Sequence, residues 1–221
     1  MHPSYFLRNG QQVASVTTKL AILNKPALLK WAWGCGKAGL DFRVERDEAG
    51  DIGTQVHEAI VSYLFFYGKR DWYSCQSLID YLDNPDLVHP SVFSCFLKFK
   101  QWWVSHDVKP LFLETPFVSE RDKFGGTPDF IGRIDGEMTI LDFKTGMAIY
   151  DEMFYQLAGY FLLVTEAGIE VKQCRILRLP KEDTGYEDRI MTEDKLCYAV
   201  SVFLACSELY DNIKQFQRNR R

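Results

Sequence analysis

The chain has 221 residues, a formal net charge of −4, 47% hydrophobic residues and 25% charged residues. These values are ordinary for a globular protein, and they exclude a disordered or fibrous chain. The acidic balance argues against a uniformly basic nucleic-acid coat, so a polyanion would be met locally or through a metal ion. The longest apolar run, residues 59–67, is shorter than the ~18 residues of a membrane span. The first residues are too polar for a signal peptide, and we expect a soluble intracellular protein.

Helical patterns fill the first half of the chain. A short periodic stretch covers residues 17–23, and Pro26 is suited to the first position of a helix that runs to Trp33. Glycines at positions 34, 36 and 39 are expected to end that helix. After Gly53, apolar residues recur at helical spacing on one face, while Glu58 and Ser62 fall elsewhere; the residues of that face are Val56, His57, Ile60, Val61 and Leu64. Residues 71–90 are mixed, and a further helix is expected over residues 91–105.

Extended patterns replace helical ones at position 110. A strand is expected over residues 111–118, bent at Pro116. Strands over 130–134 and 138–143 flank Asp135-Gly136, which favours a two-residue hairpin turn. Then come a helix, a strand and a long final helix, at 151–165, 171–179 and 192–217.

This order of elements predicts an α/β fold with a mixed sheet. We expect one domain over residues 1–221, made of a mainly helical part (1–110), a sheet with a crossover helix (111–180) and a carboxyl-terminal helix (181–221).

The hairpin predicts a convergence of charges. A two-residue turn at Asp135-Gly136 fixes the register and places Asp129 opposite Asp142. Like charges opposed in this way are destabilising unless something compensates, and a divalent cation is the simplest compensation. Strand alternation puts Lys144 on the same face. Carboxylate oxygens suit Mg²⁺ or Mn²⁺, and such a centre suits phosphodiester hydrolysis. The alternative is a pair of solvated surface charges.

Five short motifs follow one another along residues 53–179: GTQVH at 53–57, LETP at 113–116, GTPD at 126–129, LDFKTG at 141–146 and YQxxxY at 155–160. Together they resemble the motifs of the PD-(D/E)xK nucleases, specifically the RecB-like and Cas4-like exonuclease branch. The resemblance implies a restriction-endonuclease-like core, in which a mixed central sheet is flanked by helices, with a helical amino-terminal part.

The resemblance also implies a metal site. Asp129 and Asp142 would be the carboxylate ligands of Mg²⁺ or Mn²⁺, and the Phe143 backbone carbonyl would supply another oxygen. His57 would be a further ligand; its alternative is a hydrogen-bonded core histidine.

Four further roles follow from the same resemblance. Lys144 would activate or position the attacking water, and Glu114 would hold a second ion or a water on the metal. Gln156 and Tyr160 lie four apart on one helix face and would contact the nucleic-acid backbone or Lys144. The alternatives are a surface acid for Glu114, a solvated side chain for Gln156 and a core residue for Tyr160.

The six cysteines are scattered without a CxxC pair, and we expect free, mostly buried thiols. Cluster-binding members of the family use one cysteine before the core and three closely spaced ones after it. Here only Cys197 and Cys206 follow the core strands. No iron–sulfur cluster is therefore expected, and the chain looks closer to the cluster-free small exonucleases, many of which phages encode.

The resemblance thus implies a metal-dependent deoxyribonuclease, acting as an exonuclease at DNA ends in recombination, repair or replication. Its partners would be double- or single-stranded DNA and a recombination or replication protein, with no membrane. Its location would be the cytoplasm of a bacterium or a phage-infected host. Two alternatives stay open: a catalytically silent nuclease-fold protein that binds DNA or a partner, and a structure-specific endonuclease.

Three features have two interpretations each. Trp102 and Trp103 are adjacent on a helix, so at most one of them would stack on a base and the other would pack in the core. The basic tail 214–221 would contact phosphates or form a solvated helix end. Ser15 and the threonines at 17–18 would bind a phosphate or simply cap a helix.

Overall fold

The computed structural model describes residues 4–181 and 185–219, which form helices and two β-sheets. The helices are α1 (Val16–Leu20), α2 (Pro26–Lys37), α3 (Phe42–Gly68), α4 (Trp72–Leu82), α5 (Pro90–Val104), α6 (Asp151–Glu166) and α7 (Glu193–Arg218). The strands are β1 (Tyr5–Phe6), β2 (Gln12–Ser15), β3 (Val108–Leu113), β4 (Phe117–Ser119), β5 (Phe124–Gly126), β6 (Phe130–Ile134), β7 (Glu137–Lys144), β8 (Gln173–Arg178) and β9 (Glu187–Ile190). Within these residues, no helix combines the length and the apolar character that crossing a bilayer requires.

The larger sheet has the order β3-β6-β7-β8-β9. Strands β7 and β8 are parallel and are joined through α6, while the other neighbours are antiparallel. Helices α3 and α5 pack on one face, and α1, α6 and α7 pack on the other. The predicted α/β fold, with a mixed sheet flanked by helices, is therefore confirmed.

Strand β7 lies at the centre of this sheet and serves both cores. Its alternating side chains place Leu141 and Phe143 against α3 and α5, and Ile140 against the opposite helices. Burying a side chain of this size stabilises the fold by about 1.5–3 kcal/mol. The same alternation directs Asp142 and Lys144 to the α6 face, so two charged side chains lie on a face that otherwise carries apolar ones.

The hairpin register is as predicted. Ile134 pairs with Glu137, and the ladder continues to Phe130 opposite Leu141. The turn residues Asp135 and Gly136 have φ values of +53° and +90°, as a type I′ turn requires.

The predicted strand over residues 111–118 is wrong. The chain forms β3, which ends at Leu113, and β4, which begins at Phe117. Glu114 adopts φ +41° and interrupts the extended backbone, and Pro116 has no N–H to contribute to a ladder. The two strands consequently belong to different sheets.

Two helix boundaries also differ from the prediction. Helix α2 continues through Gly34 and Gly36 to Lys37, and the left-handed glycine that follows it is Gly39, with φ +74°. Helix α3 begins well before Gly53, where the Asp41 side chain accepts a hydrogen bond from the Arg43 N–H. This cap defines the start of α3, and burial of its apolar side chains in the core offsets the helix penalty of its internal glycines.

The smaller sheet, of order β1-β2-β5-β4, was not predicted. Its strands are two to four residues long, too short to show an alternating pattern. A Cβ at Gly125 would lie 2.3 Å from Tyr5 Cγ, so only glycine allows β1 to cross at this point. Strand β5 leads directly to Thr127 and Asp129, and this sheet therefore positions one of the predicted site residues.

Several open interpretations are settled by packing. Trp102 and Trp103 are both buried, and Trp102 Nε1 donates to Asp188 Oδ2 at 2.7 Å. Ser15 caps α1 by accepting a hydrogen bond from the Thr18 N–H at 3.0 Å. All six cysteines are free, and Cys197 alone among them is exposed.

Candidate active site

The site begins with an ion pair at the end of β7. Lys144 Nζ lies 2.5 Å from Asp142 Oδ2, and Asp142 is 1% exposed. No donor among the described residues reaches this oxygen with hydrogen-bond geometry, so the contact is electrostatic. A buried carboxylate oxygen with only one cation beside it retains capacity to bind a further positive charge.

Gln156, on α6, bridges the two members of this pair. Its Nε2 donates to Asp142 Oδ1 at 3.3 Å, and its Oε1 accepts from Lys144 Nζ at 3.2 Å. The same Nε2 donates to the Tyr160 hydroxyl at 2.8 Å. Tyr160 is buried, and it therefore positions Gln156 from inside the core.

Asp129 reaches the same point from the partner strand. It directly precedes β6, beyond the last registered pair of the hairpin, and its Oδ2 accepts a hydrogen bond from the Phe143 N–H at 2.8 Å. Its Oδ1 lies 3.5 Å from His57 Nδ1. The hairpin thus brings Asp129 beside Asp142, as the predicted register implied.

Helix α3 contributes His57, which ties Asp129 to the end of β7. Its Nε2 lies at hydrogen-bond distance, 3.1 Å, from the Phe143 carbonyl oxygen. Its ring also meets the Phe143 ring edge-on, with centroids 5.9 Å apart. His57 is therefore hydrogen-bonded, as one interpretation expected, and its other ring nitrogen faces Asp129, with a quarter of the side chain exposed.

The charges in this cluster shift one another's pKa values. Burial raises the pKa of Asp142 to about 6, and this rise is opposed by Lys144 and assisted by Asp129. Burial also opposes ionisation of Asp129, but His57, Lys144 and the Phe143 N–H outweigh it and lower its pKa. For His57, burial favours the neutral ring, yet Asp129 and Asp142 prevail and raise the pKa to about 9. Burial favours neutral Lys144 too, but the two aspartates raise its pKa.

A cleft of about 340 Å³ opens beside this cluster, lined by Gly53, Thr54, His57, Glu58 and Glu114. Glu114 stands in the left-handed conformation, which costs a residue with a side chain about 1–3 kcal/mol and is common at functional sites. Its N–H donates to the Asp129 carbonyl at 3.1 Å. Burial and the nearby Asp129 raise the pKa of Glu114.

Glu58 is the residue that the sequence analysis missed. It was placed away from the apolar face of α3, yet it lines the cleft with His57 and Glu114. The sequence spacing could have indicated Glu58. Thr54, His57 and Glu58 occupy positions i, i+3 and i+4 and therefore share one side of the helix. Only the packing of α3 shows that this side meets the end of β7.

Glycine in the GTPD motif has a packing role. A Cβ at Gly126 would lie 2.8 Å from Tyr160 Cε1 and 2.9 Å from Leu163 Cδ1. One residue later, the Thr127 hydroxyl is 2.9 Å from the Tyr5 hydroxyl. The motif is therefore held between α6 and β1 just before it delivers Asp129.

The donor set fits Mg²⁺ or Mn²⁺. Both ions prefer oxygen ligands, and Mg²⁺ is commonly held by one or two protein carboxylates. Over residues 4–181 and 185–219, no three His, Cys, Asp or Glu side chains already converge at ligand spacing. Asp142 is paired with Lys144, and His57 Nε2 lies at hydrogen-bond distance from the Phe143 carbonyl oxygen. The buried Asp142 Oδ2, Asp129 and that carbonyl nevertheless meet the requirement for two carboxylates and a further oxygen.

No protein-family model matches the sequence, and no curated protein matches it either. Among solved structures, the chain is similar to the alkaline exonuclease LHK-Exo from Laribacter hongkongensis, with a TM-score of 0.33 and 14% identity over 57% of this chain and 71% of that one. The complex of LHK-Exo with dAMP gives a TM-score of 0.34 and 15% identity, over 73% of this chain and 93% of that one. A structure of SSO0001 gives a TM-score of 0.35 and 11% identity, over 73% of this chain and 84% of that one.

Proposed function

We propose that the protein is a metal-dependent deoxyribonuclease that hydrolyses phosphodiester bonds at DNA ends, as an exonuclease. The observation that carries the proposal is the buried Asp142–Lys144 pair beside Asp129, at the open end of the hairpin. Burying Asp142 beside the partly buried carboxylate of Asp129 costs free energy, which an arrangement with a structural role alone would avoid. Two carboxylates that bind a metal cation next to an ammonium group are suited to stabilise the negative charge that develops on a phosphate during hydrolysis.

The ligands of the ion would be Asp129, Asp142, the Phe143 carbonyl and His57. When bound, Mg²⁺ or Mn²⁺ would polarise the phosphate and acidify a water molecule. Binding through both His57 and the Phe143 carbonyl would replace the hydrogen bond that joins them at present.

Lys144 and Gln156 would act on the attacking water. Lys144 Nζ would position that water by donating to it, and Gln156 Oε1 would hold the ammonium group in place. Tyr160 would fix Gln156 in turn through its hydroxyl. Glu114 and Glu58, across the cleft, would hold a second ion.

A partner protein of recombination, repair or replication belongs to the same proposal.

The experiment is digestion of linear and covalently closed circular DNA by the purified protein in Mn²⁺. The expected result is loss of the linear DNA with the circle intact, and loss of activity in Asp142→Ala and Lys144→Ala with the circular dichroism spectrum unchanged. The matched controls are Glu170→Ala and Lys172→Ala, which break an exposed acid–lysine pair and should digest DNA like the wild type.

Each other outcome has a definite meaning. Cleavage of the circular DNA, which has no ends, would show that the protein is a structure-specific endonuclease and not an exonuclease. Binding of DNA without any cleavage in Mg²⁺ or Mn²⁺ would indicate a catalytically silent nuclease-fold protein. Intact DNA without binding would contradict the proposal altogether.

A further inference from the structure

A second cleft, of about 810 Å³, lies between β2 and the last turns of α7. Four cations line it, together with one carboxylate, that of Asp211, and several glutamine amides. The cations are Lys19, Lys123, Lys214 and Arg218. A basic cleft in a chain whose net charge is −4 is a local concentration of positive charge that the overall composition hides.

These cations come from three separate parts of the chain. Lys19 lies on α1, Lys123 directly precedes β5, and the other two lie on α7. A solvated helix end would account for Lys214 and Arg218, but it would not bring the first two to the same cleft. This placement favours the phosphate-binding interpretation for Lys214 and Arg218, while residues 220–221 of the basic tail lie outside the described residues.

Lys19 is built into the floor of this cleft. Its side chain is 1% exposed and is paired with Asp211, and its Nζ lies 5.2 Å from the centre of the Tyr210 ring. Within residues 4–181 and 185–219, no carboxylate forms a salt bridge with any of the other three cations. Three positive charges are therefore left to attract an anion.

We propose that this cleft binds the phosphate backbone of DNA at a distance from the bond that is cleaved; the proposal rests on the nuclease function above. Lys123 and Asp129 are six residues apart and stand on either side of β5. Six residues span at most about 20 Å, which corresponds to roughly six base pairs of duplex. The separation of the two sites is therefore within the length of a short duplex, and the cations and glutamine amides of the cleft would contact the phosphates of that duplex.

The test compares two double variants that remove the same charge. Lys214→Gln with Arg218→Gln changes the cleft. Lys172→Gln with Arg189→Gln is the matched control, since both of its side chains are 55% exposed and lie outside the cleft. Binding of a fluorescent 20-base-pair duplex is measured in EDTA across a salt series. Two lost phosphate contacts should lower affinity at 0.1 M salt by about ten-fold or more and reduce the log–log salt slope by about two.

Hydrolysis provides a second readout. In Mn²⁺, the cleft variant should show a raised KM on the 20-base-pair duplex. It should show wild-type kinetics on a thymidine 5′-monophosphate nitrophenyl ester, which is too short to reach the cleft.

The outcomes separate this proposal from the proposed function. A wild type that degrades DNA, with a cleft variant that matches the control in affinity and slope, would overturn the cleft proposal alone. A wild type that neither binds nor degrades DNA would overturn both. If the cleft variant lost binding of inorganic phosphate but bound the duplex like the control, the cleft proposal would be overturned, because the cleft would then bind free anions and not DNA.

Discussion

Lys144 and Asp142 are two residues apart on one strand, and their charged atoms lie 2.5 Å apart on the face that meets α6. Strand alternation alone places both side chains on the same face. Burial then makes the ion pair important for stability, because a carboxylate removed from water is stabilised only by the groups that remain beside it.

Removal of one member of this pair should destabilise the protein more than removal of both. Lys144→Met leaves Asp142 buried beside Asp129 without its cation, and we expect a loss of about 3 kcal/mol in the free energy of unfolding. The double variant Asp142→Asn with Lys144→Met should recover most of that loss. Urea denaturation in EDTA measures both, and strictly additive effects of the two substitutions would contradict the coupling.

Metal binding should stabilise the folded protein. Mn²⁺ at a hundred times its dissociation constant should raise the free energy of unfolding by about 2.7 kcal/mol, and for a chain of this length that corresponds to an increase in Tm of roughly 5–10 °C. Excess EDTA should reverse the increase. Asp142→Asn should show none of it, whereas Glu170→Gln, at an exposed position, should behave like the wild type. An equal response in Asp142→Asn would place the ion elsewhere.

Gly126→Ala should disturb the site through packing. Its Cβ would stand 2.8 Å from Tyr160, and relief of that overlap should cost about 1–3 kcal/mol in stability and displace the Tyr160–Gln156–Lys144 chain, with a fall in kcat. Gly34→Ala is the matched control. Its Cβ meets nothing within 4 Å, and alanine in the middle of α2 should stabilise the fold by up to about 1 kcal/mol. An unchanged kcat in Gly126→Ala would contradict the prediction that packing at Gly126 supports the catalytic position of Lys144.

Thiol reactivity should report the packing of both cores. Burial raises the pKa of Cys174 to about 12, so its thiolate is scarce at pH 8 and the side chain is closed to reagent. Cys197 is the exposed cysteine. We expect one fast-reacting thiol with Ellman's reagent in the native protein and six after denaturation. Cys197→Ser should remove the fast phase, and its persistence would show that another cysteine is accessible.

The amino-acid sequence by itself determined the β6–β7 hairpin and the convergence at its open end. The turn at Asp135-Gly136 depends on backbone conformations that the two residues adopt locally, and the register then brings Asp129 beside Asp142 and Phe143. Helices α5, α6 and α7 were predicted for a similar reason, since apolar spacing and terminal residues are local signals.

Only the tertiary structure decided what surrounds that hairpin. The pairing of Ala14 with Phe124 joins strands more than a hundred residues apart, and no local pattern specifies it because the strands are too short. The same holds for Glu58 in the cleft and for Lys19 beside the end of α7. Each depends on which faces of distant elements pack together, and that choice is made by burial of the whole core and not by the neighbouring residues in the chain.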